Sequence, residues 1–141
     1  MNNQTINHIS IIGGAGHVGL PLGLAFASMN FKIHLIDKNK KALKSIKQNK
    51  RPFLEIGAKT LLQKANKKKL FFYENDLSNI SKSKYIIICI GTPIDKKLKP
   101  DLISFYGLIK KLKNRINKKQ ILIIRRSVLQ GTNQKIKEIL K

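Results

Sequence analysis

The fold of this 141-residue chain is decided by the stretch His8-Ile9-Ser10-Ile11-Ile12-Gly13-Gly14-Ala15-Gly16-His17-Val18-Gly19. Its first five residues are a short run rich in isoleucine, which predicts a β-strand that ends at the glycine pair. From residue 17 to residue 29 the apolar positions fit a helix that is buried on most of its surface, and Pro21 is tolerated in the first turn. The stretch therefore predicts a strand, a tight glycine-rich turn and a helix.

Three glycines in this turn have the spacing of a dinucleotide-binding motif. Gly14 is expected to permit the tight turn, Gly16 to let the backbone approach a pyrophosphate, and Gly19 to let the helix pack against the strand. The start of the helix offers N–H groups and a positive dipole end to phosphates, and His17 and Val18 lie within the predicted contact region. A plain strand-to-helix turn is the alternative, but the position between a strand and a helix favours a dinucleotide.

Apolar runs alternate with amphipathic stretches along the rest of the chain, without an internal repeat or a linker. Further strands are predicted at residues 31–36, 70–73, 85–90 and 121–124. Helices are predicted after Asp37, at residues 58–65 and 103–116, and from Gly131 onward. Since parallel strands joined by helical crossovers build a doubly wound sheet, we expect one α/β domain of Rossmann type over residues 1–141. Its ligand would bind at the carboxyl ends of the strands.

Asp37 ends the second predicted strand, at roughly the 20-residue distance from the glycine motif at which a ribose-binding acid is expected. A carboxylate there can accept hydrogen bonds from both hydroxyls of an adenine ribose and disfavours a 2′-phosphate, so the sequence favours NAD over NADP. The neighbouring Lys38, Lys40 and Lys41 could offset the carboxylate and admit NADP. Asp37 could also serve only as the cap of the next helix.

Hydroxyl side chains follow two later strands. Thr92, with Pro93, comes after the run at residues 85–90, and Ser127 comes after the strand at residues 121–124. Both hydroxyls are expected on the cofactor side of the sheet. Each alone is equally compatible with an ordinary turn, so their joint position makes them candidates.

The formal net charge is +22, from 29 Lys and Arg against 7 Asp and Glu, and such a charge ordinarily suggests nucleic acid or another anionic partner. The lysines, however, are spread over every predicted helix and loop, arginines are few, and few aromatic residues lie among them. We therefore predict a solvated basic surface. A basic nucleic-acid-binding protein stays as an alternative.

The cysteine and histidines predict neither a disulfide nor a metal site. Cys89 lies inside the apolar run at residues 85–90 and is predicted to be a core thiol rather than a nucleophile. His8, His17 and His34 are spread over three segments without ligand spacing. No apolar run reaches the roughly 20 residues of a membrane span, and the amino-terminal residues do not resemble a signal peptide, so we expect a cytoplasmic protein.

Taken together, five elements of the sequence resemble the nucleotide-sugar 6-dehydrogenase family, which includes UDP-glucose, UDP-N-acetylmannosamine and GDP-mannose dehydrogenases. These elements are residues 14–22, Asp37, residues 51–55, residues 91–93 and residues 125–132. The resemblance implies NAD as the cofactor and contacts to it from Thr92 and Ser127.

The sequence departs from the family pattern at three positions. The family usually has Thr where Ser127 stands and Pro where Gln130 stands. A basic residue often occurs where this chain has Ala42, so Lys38 or Lys41 would have to replace it.

The resemblance also implies oxidation of a sugar C6 alcohol to a carboxylate for polysaccharide precursor synthesis. In the family this takes two hydride transfers and a thiohemiacetal on a cysteine in a later domain, with a Lys and an Asn nearby. Those positions do not occur in these 141 residues, so we expect the cofactor half alone and no turnover from it. A nucleotide sugar would bind only if a complementing chain or an oligomer supplied the missing domain. The alternative is a non-catalytic dinucleotide-binding or interaction module.

Overall fold

A computed structural model describes residues 7–50, 56–91 and 101–141. Its strands are β1 (His8–Ile12), β2 (Lys32–Ile36), β3 (Phe71–Glu74), β4 (Tyr85–Ile88) and β5 (Ile121–Ile124). Its α-helices are α1 (Gly19–Ser28), α2 (Lys40–Lys47), α3 (Ala58–Lys67), α4 (Leu102–Lys113) and α5 (Thr132–Leu140). A short 3-10 helix, Ile80–Lys82, lies between β3 and β4.

The five strands form one parallel sheet in the order β3-β2-β1-β4-β5. From β1 the chain builds outward through β2 to β3, and then returns to place β4 on the other side of β1. The strand order reverses at this point, so a crevice forms at the carboxyl ends of β1 and β4. The predicted Rossmann-type α/β fold is confirmed.

Alternate residues of the strands enter two separate cores, because side chains of a strand point to opposite faces of the sheet. Ile11 and Leu35 lie on the face covered by α1, α2 and α3. Ile12 and Ile36 lie on the other face with residues of α4 and α5. Both faces of the central strands are therefore buried, which explains their nearly continuous runs of isoleucine.

The boundaries of β4 differ from the prediction for a physical reason. The apolar run continues to Ile90, but the strand ends at Ile88. Its partner β1 ends at Ile12, where the chain turns away, so the ladder between the two strands ends with the pair Ile12 and Ile88. Cys89, just beyond, is buried as predicted.

Strand β5 lies at one edge of the sheet and is covered less completely than the others. The exposed fractions of Ile121 and Ile123 are 46% and 40%, and both side chains project from the same face of the strand. The strand contains no charged residue. This edge strand therefore presents an apolar face to solvent.

None of the helices among the described residues has the length and apolar character required to span a bilayer. The longest of these, α4, has 12 residues.

Two buried serines link the sheet to the segment that follows the 3-10 helix. The hydroxyls of Ser10, in β1, and Ser83 share a hydrogen bond of 2.8 Å, and both residues are buried. The amide nitrogen of the Gln120 side chain donates to the carbonyls of Ile80 and Ser83, which ties the 3-10 helix to the segment before β5. Hydrogen bonds thus stabilise the connection between β3 and β4, in which the 3-10 helix is the one helical segment of the described residues.

The Ser10–Ser83 bond gives a testable expectation for stability. Replacing Ser83 with Ala leaves the buried hydroxyl of Ser10 without its partner, which should lower the free energy of unfolding by about 1–3 kcal/mol. Urea unfolding measures the change. The double variant Ser10→Ala/Ser83→Ala should cost less than the sum of the two single variants, because neither hydroxyl is then left unpaired. Strict additivity would contradict this account.

Candidate functional site

The glycine-rich turn joins β1 to α1 at the carboxyl edge of the sheet, where backbone hydrogen bonds tie it to the end of β2. The N–H groups of Gly13 and Gly14 both donate to the carbonyl of Ile36, at 2.8 and 3.1 Å. The N–H of Gly16 donates to the carbonyl of Gly13 at 3.1 Å, which closes the turn. The turn therefore has a defined position relative to the first two strands.

Gly13 and Gly14 meet two different requirements of this turn. Gly13 has a φ of +83°, a conformation that side-chain-bearing residues rarely adopt. Gly14 lacks a positive φ, but a Cβ there would lie 2.8 Å from the Cα of Leu35, so it is needed for close packing against β2. The motif spacing predicts the tight turn at Gly14, whereas the positive φ occurs one residue earlier, at Gly13. The signal was the Gly-Gly pair at the end of a strand, which is typical of a turn.

Gly19 and Gly16 differ in their surroundings. A Cβ on Gly19 would lie 2.1 Å from the carbonyl oxygen of Gly13, so the first residue of α1 packs directly on the turn. A Cβ on Gly16 would meet only that same oxygen, at 3.3 Å. The backbone at Gly16 thus borders open space, which a side chain would fill and which a ligand can approach.

The start of α1 suits an anion. No side chain caps the helix at Val18, and its first turn contains no acidic residue. His17 and Val18 are exposed, so this end of the helix faces solvent. Because a helix amino terminus combines available N–H groups with a positive dipole end, this end and the adjoining open backbone fit a pyrophosphate.

Asp37 follows β2, and its carboxylate is bonded to the glycine-rich turn. One oxygen, Oδ2, accepts a hydrogen bond of 3.1 Å from the N–H of Ala15, and Oδ1 accepts one of 2.9 Å from the N–H of Asn39. An ionised carboxylate has about four acceptor positions, so about two stay available for the hydroxyls of a ribose. The acid is therefore fixed beside the turn without being used up.

Asn39, rather than Asp37, caps helix α2. The side-chain oxygen of Asn39 accepts a hydrogen bond of 3.0 Å from the N–H of Ala42. The alternative in which Asp37 serves only as a helix cap is therefore wrong, because the residue two positions later occupies the cap.

The lysines after Asp37 do not neutralise it. Lys38, Lys40 and Lys41 are exposed, and among the described residues none of them forms an ion pair with Asp37. Backbone N–H groups hold the carboxylate instead. A carboxylate held in this way is suited to a ribose without a 2′-phosphate.

The carboxyl ends of β1, β4 and β5 are joined by backbone hydrogen bonds. The N–H of Cys89 donates to the carbonyl of Ile12 at 2.8 Å, and the N–H of Arg125 donates to the carbonyl of Ile88 at 2.9 Å. Ser127 follows two residues after Arg125 and is exposed. The fold therefore brings Ser127 to the same edge of the sheet as the glycine-rich turn.

Some of the predicted residues lie outside the described part of the chain. These are Thr92, Pro93 and the segment at residues 51–55. Gly91, the last described residue before Thr92, follows the end of β4 at the edge where the glycine-rich turn lies.

Arg126 and Cys89, near the same ends of the strands, are held by packing and burial. The guanidinium carbon of Arg126 lies 4.2 Å from the centre of the Phe105 ring, which anchors the segment before Ser127 on α4. Burial lowers the pKa of Arg126 from its usual value. Burial also raises the pKa of the Cys89 thiol, against a smaller opposite effect of Arg125, and a protonated thiol is a poor nucleophile.

The spacing of the histidines in the sequence does not predict an association that the sheet creates. Nδ1 of His8, in β1, lies 2.9 Å from Nε2 of His34, in β2. The Nδ1 atom of His34 lies 2.6 Å from Oε1 of Glu74 in β3. The signal was the position of these residues on one face of three neighbouring strands, which only the strand register reveals. No group of three metal-ligating side chains arranged to hold a metal occurs among the described residues.

Comparisons with known proteins agree with this architecture. Residues 7–141 match the UDP-glucose/GDP-mannose dehydrogenase family, NAD binding domain. An uncharacterized Methanocaldococcus jannaschii protein is 34% identical over 95% of the chain. The UDP-glucose 6-dehydrogenase TuaD of Bacillus subtilis is 28% identical over 94% of the chain. A crystal structure of GDP-mannose dehydrogenase from Pseudomonas aeruginosa superimposes with a TM-score of 0.84 over 94% of the chain, at 26% identity.

The chain spans less than a third of the length of these three proteins, 15%, 29% and 31% respectively. The matched family domain takes NAD, which confirms the cofactor that the sequence predicted. Nearly the whole chain lies within that match. The chain therefore belongs to the UDP-glucose/GDP-mannose dehydrogenase family, as its NAD-binding domain.

Proposed function

We propose that this domain holds NAD as the hydride acceptor of a nucleotide-sugar 6-dehydrogenase, with UDP-glucose or UDP-N-acetylmannosamine as the substrate of the whole enzyme. The proposal is carried by the hydrogen bond between the N–H of Ala15 and the carboxylate of Asp37. This bond supports the proposal, because it holds a carboxylate suited to a ribose beside a turn suited to phosphates. When bound, NAD supplies the nicotinamide ring that accepts a hydride from the substrate.

The pyrophosphate is assigned to the open backbone at Gly16 and to the start of α1. His17, Val18 and Gly19 are the residues at which the turn becomes helix, so their N–H groups are the proposed donors to the phosphates. Gly14 supports this contact indirectly, because it packs the turn against β2.

The adenine ribose is assigned to Asp37. Its two remaining acceptor positions match the two hydroxyls of the adenine ribose in NAD. In NADP, the 2′-phosphate would instead meet a negatively charged carboxylate. Lys38 directly follows this acid and is exposed. We propose that it contacts the adenosine end of the cofactor.

The nicotinamide half is assigned to the ends of β4 and β5. The resemblance to the family implies that Thr92 and Ser127 contact the cofactor, and we propose that they do so, together with Pro93, at its nicotinamide half. The exposure of Ser127 at the carboxyl ends of the strands supports this assignment. A serine hydroxyl can both donate and accept a hydrogen bond there, so it can replace the usual threonine.

The sugar and the catalytic groups are assigned to protein outside this chain. By their names, the relatives act on UDP-glucose and GDP-mannose, so the substrate varies among proteins that share this domain. The burial of Cys89 and the raised pKa of its thiol argue against it as the family's nucleophile. We therefore propose that turnover requires the remaining domains, in the same polypeptide or supplied by a partner.

Variants at Gly16 and Asp37 test the cofactor site. Gly16→Val should fill the space for the pyrophosphate, and Asp37→Asn should remove the charge that binds the ribose. Hydrogen bonds to charged groups contribute about 1.5–3 kcal/mol, so each change should weaken NADH binding roughly tenfold or more. Calorimetric titration with NADH measures the dissociation constants.

Two matched variants control this experiment. A Cβ at Gly107, within α4, would meet no atom within 4 Å, so Gly107→Val adds the same side chain away from the turn. Glu138→Gln, at an exposed position in α5, removes one negative charge as Asp37→Asn does. Both controls should bind NADH as the unaltered chain does. Equal affinities for all five proteins would refute the proposed site.

The carboxylate of Asp37 also predicts a cofactor preference. The unaltered chain should bind NADH more tightly than NADPH, and Asp37→Asn should bring the two dissociation constants closer together, because the repulsion of the 2′-phosphate is removed. Competition titrations with both nucleotides give the ratio. A ratio that Asp37→Asn leaves unchanged would show that the acid does not set the preference.

The purified chain should bind NADH without catalysing oxidation. With NAD and UDP-glucose, the absorbance of NADH at about 340 nm should not rise above that of a mixture without protein, since the chain lacks an accessible thiolate nucleophile. A full-length UDP-glucose 6-dehydrogenase serves as the positive control. Sustained formation of NADH by the chain alone would contradict the proposal.

A further inference from the structure

Three side chains on neighbouring strands form a line of hydrogen bonds, which we call the His8–His34–Glu74 relay. The ring nitrogens of His8 and His34 are 2.9 Å apart, and His34 Nδ1 lies 2.6 Å from Glu74 Oε1. The side chain of His34 is 3% exposed and that of Glu74 is 11% exposed, while His8 is half-buried. The relay thus runs from near the surface at β1 to a buried carboxylate on β3.

The carboxylate at the inner end fixes the position of one proton. Oε2 of Glu74 is buried and has no hydrogen-bond partner among the described residues. Within that part of the chain, the carboxylate is therefore held through the contact of Oε1 with His34. A carboxylate accepts and does not donate, and therefore Nδ1 of His34 carries the proton of this bond. The contact of His34 with His8 is then set by whether its Nε2 also carries a proton.

The hydrogen bond between the two rings needs a proton on one of the two facing nitrogens and is lost when both nitrogens carry one. When both rings are neutral, Nδ1–H of His8 donates to the bare Nε2 of His34. When His34 alone is protonated, its Nε2–H donates to the bare Nδ1 of His8. When both are protonated, two N–H groups face each other at 2.9 Å and the bond cannot form.

The groups around His8 disfavour a second proton on its ring. The Phe72 ring stacks on His34, with ring centres 4.7 Å apart, and extends over His8 at 6.1 Å. The charged groups that act on His8 from the packed elements are His34 and Lys32 of β2 and Lys82 of the 3-10 helix. All three are cationic or become so, and Glu74 supplies the sole negative charge in the relay itself.

We propose that the His8–His34–Glu74 relay is a pH-sensitive switch that holds β1, β2 and β3 together near neutral pH and releases His8 on acidification. The switch acts within the sheet and does not depend on the bound cofactor. Release would remove the side-chain link between β1 and β2 at His8, the first residue of β1, while the backbone ladder between the two strands is kept.

The direction of the pH effect follows from the protonation of His8. Burial first, and then His34, Lys32 and Lys82, lower the pKa of His8 from its ordinary value of 6.5. In the unfolded chain the ordinary pKa returns, so the unfolded state binds more protons as the pH falls. The stability contributed by the neutral ring is therefore complete above pH 6.5 and is lost as the pH falls through the lowered pKa.

Urea unfolding of three proteins at pH 8 and pH 5 tests the switch. The folding constant of the unaltered chain should fall between these values by roughly three- to tenfold more than that of His8→Gln, the range expected for one hydrogen bond. Glutamine cannot take up a proton in this range but can still donate to His34. Lys137→Gln, at an exposed position of α5 outside the relay, should keep the full fall. Equal falls for the unaltered chain and His8→Gln would overturn the proposal.

Nitrogen-15 NMR of the histidine rings of the unaltered chain gives an answer that does not depend on any variant folding. We expect a proton on Nδ1 of His34, which its contact with Glu74 requires, and a titration of His8 at lower pH than that of an unfolded histidine. A His8 ring that titrates as in the unfolded chain, or a His34 ring without a proton on Nδ1, would overturn the proposal.

Discussion

The carbonyl of Ile36, the last residue of β2, accepts hydrogen bonds from the consecutive N–H groups of Gly13 and Gly14. A side chain on Gly14 would collide with β2, and one on Gly13 would force an unfavourable backbone conformation. Only this glycine pair lets β1 end directly against the end of β2. Because the two strands are parallel, Asp37 then emerges next to the turn and reaches the N–H of Ala15. The turn and the acid to which we assign the phosphates and the ribose thus share one anchor.

The way in which Asp37 is held has consequences in so basic a chain. With 29 Lys and Arg residues, an ion pair to a nearby lysine would be easy to form, and it would offset the charge that excludes a 2′-phosphate. Two backbone N–H groups orient the carboxylate without adding a full positive charge. Orientation and charge are therefore separate: the turn fixes the geometry of the carboxylate, and its charge is the feature to which we assign the preference for NAD.

Local patterns were enough to predict the order of strands and helices, because alternation of apolar runs and the glycine spacing are properties of short segments. They could not show that Asn39 caps α2 or that Gly13 takes the positive φ, since both depend on small differences in backbone conformation. The contact between His8 and His34 was further out of reach. It joins residues 26 positions apart and requires the register of two strands.

The exposed isoleucines of β5 bear on how separate copies of this domain behave toward one another. Natural sheets usually protect an edge strand with lysine, proline or a bulge, but the four residues of β5 contain none of these. Long-range repulsion between copies, each with a net charge of +22, opposes the association that such an edge invites. Salt weakens this repulsion, with a screening length of about 10 Å at 0.1 M, so colloidal stability should decline as ionic strength rises. The net positive charge therefore opposes association of copies through this strand, and salt weakens that opposition.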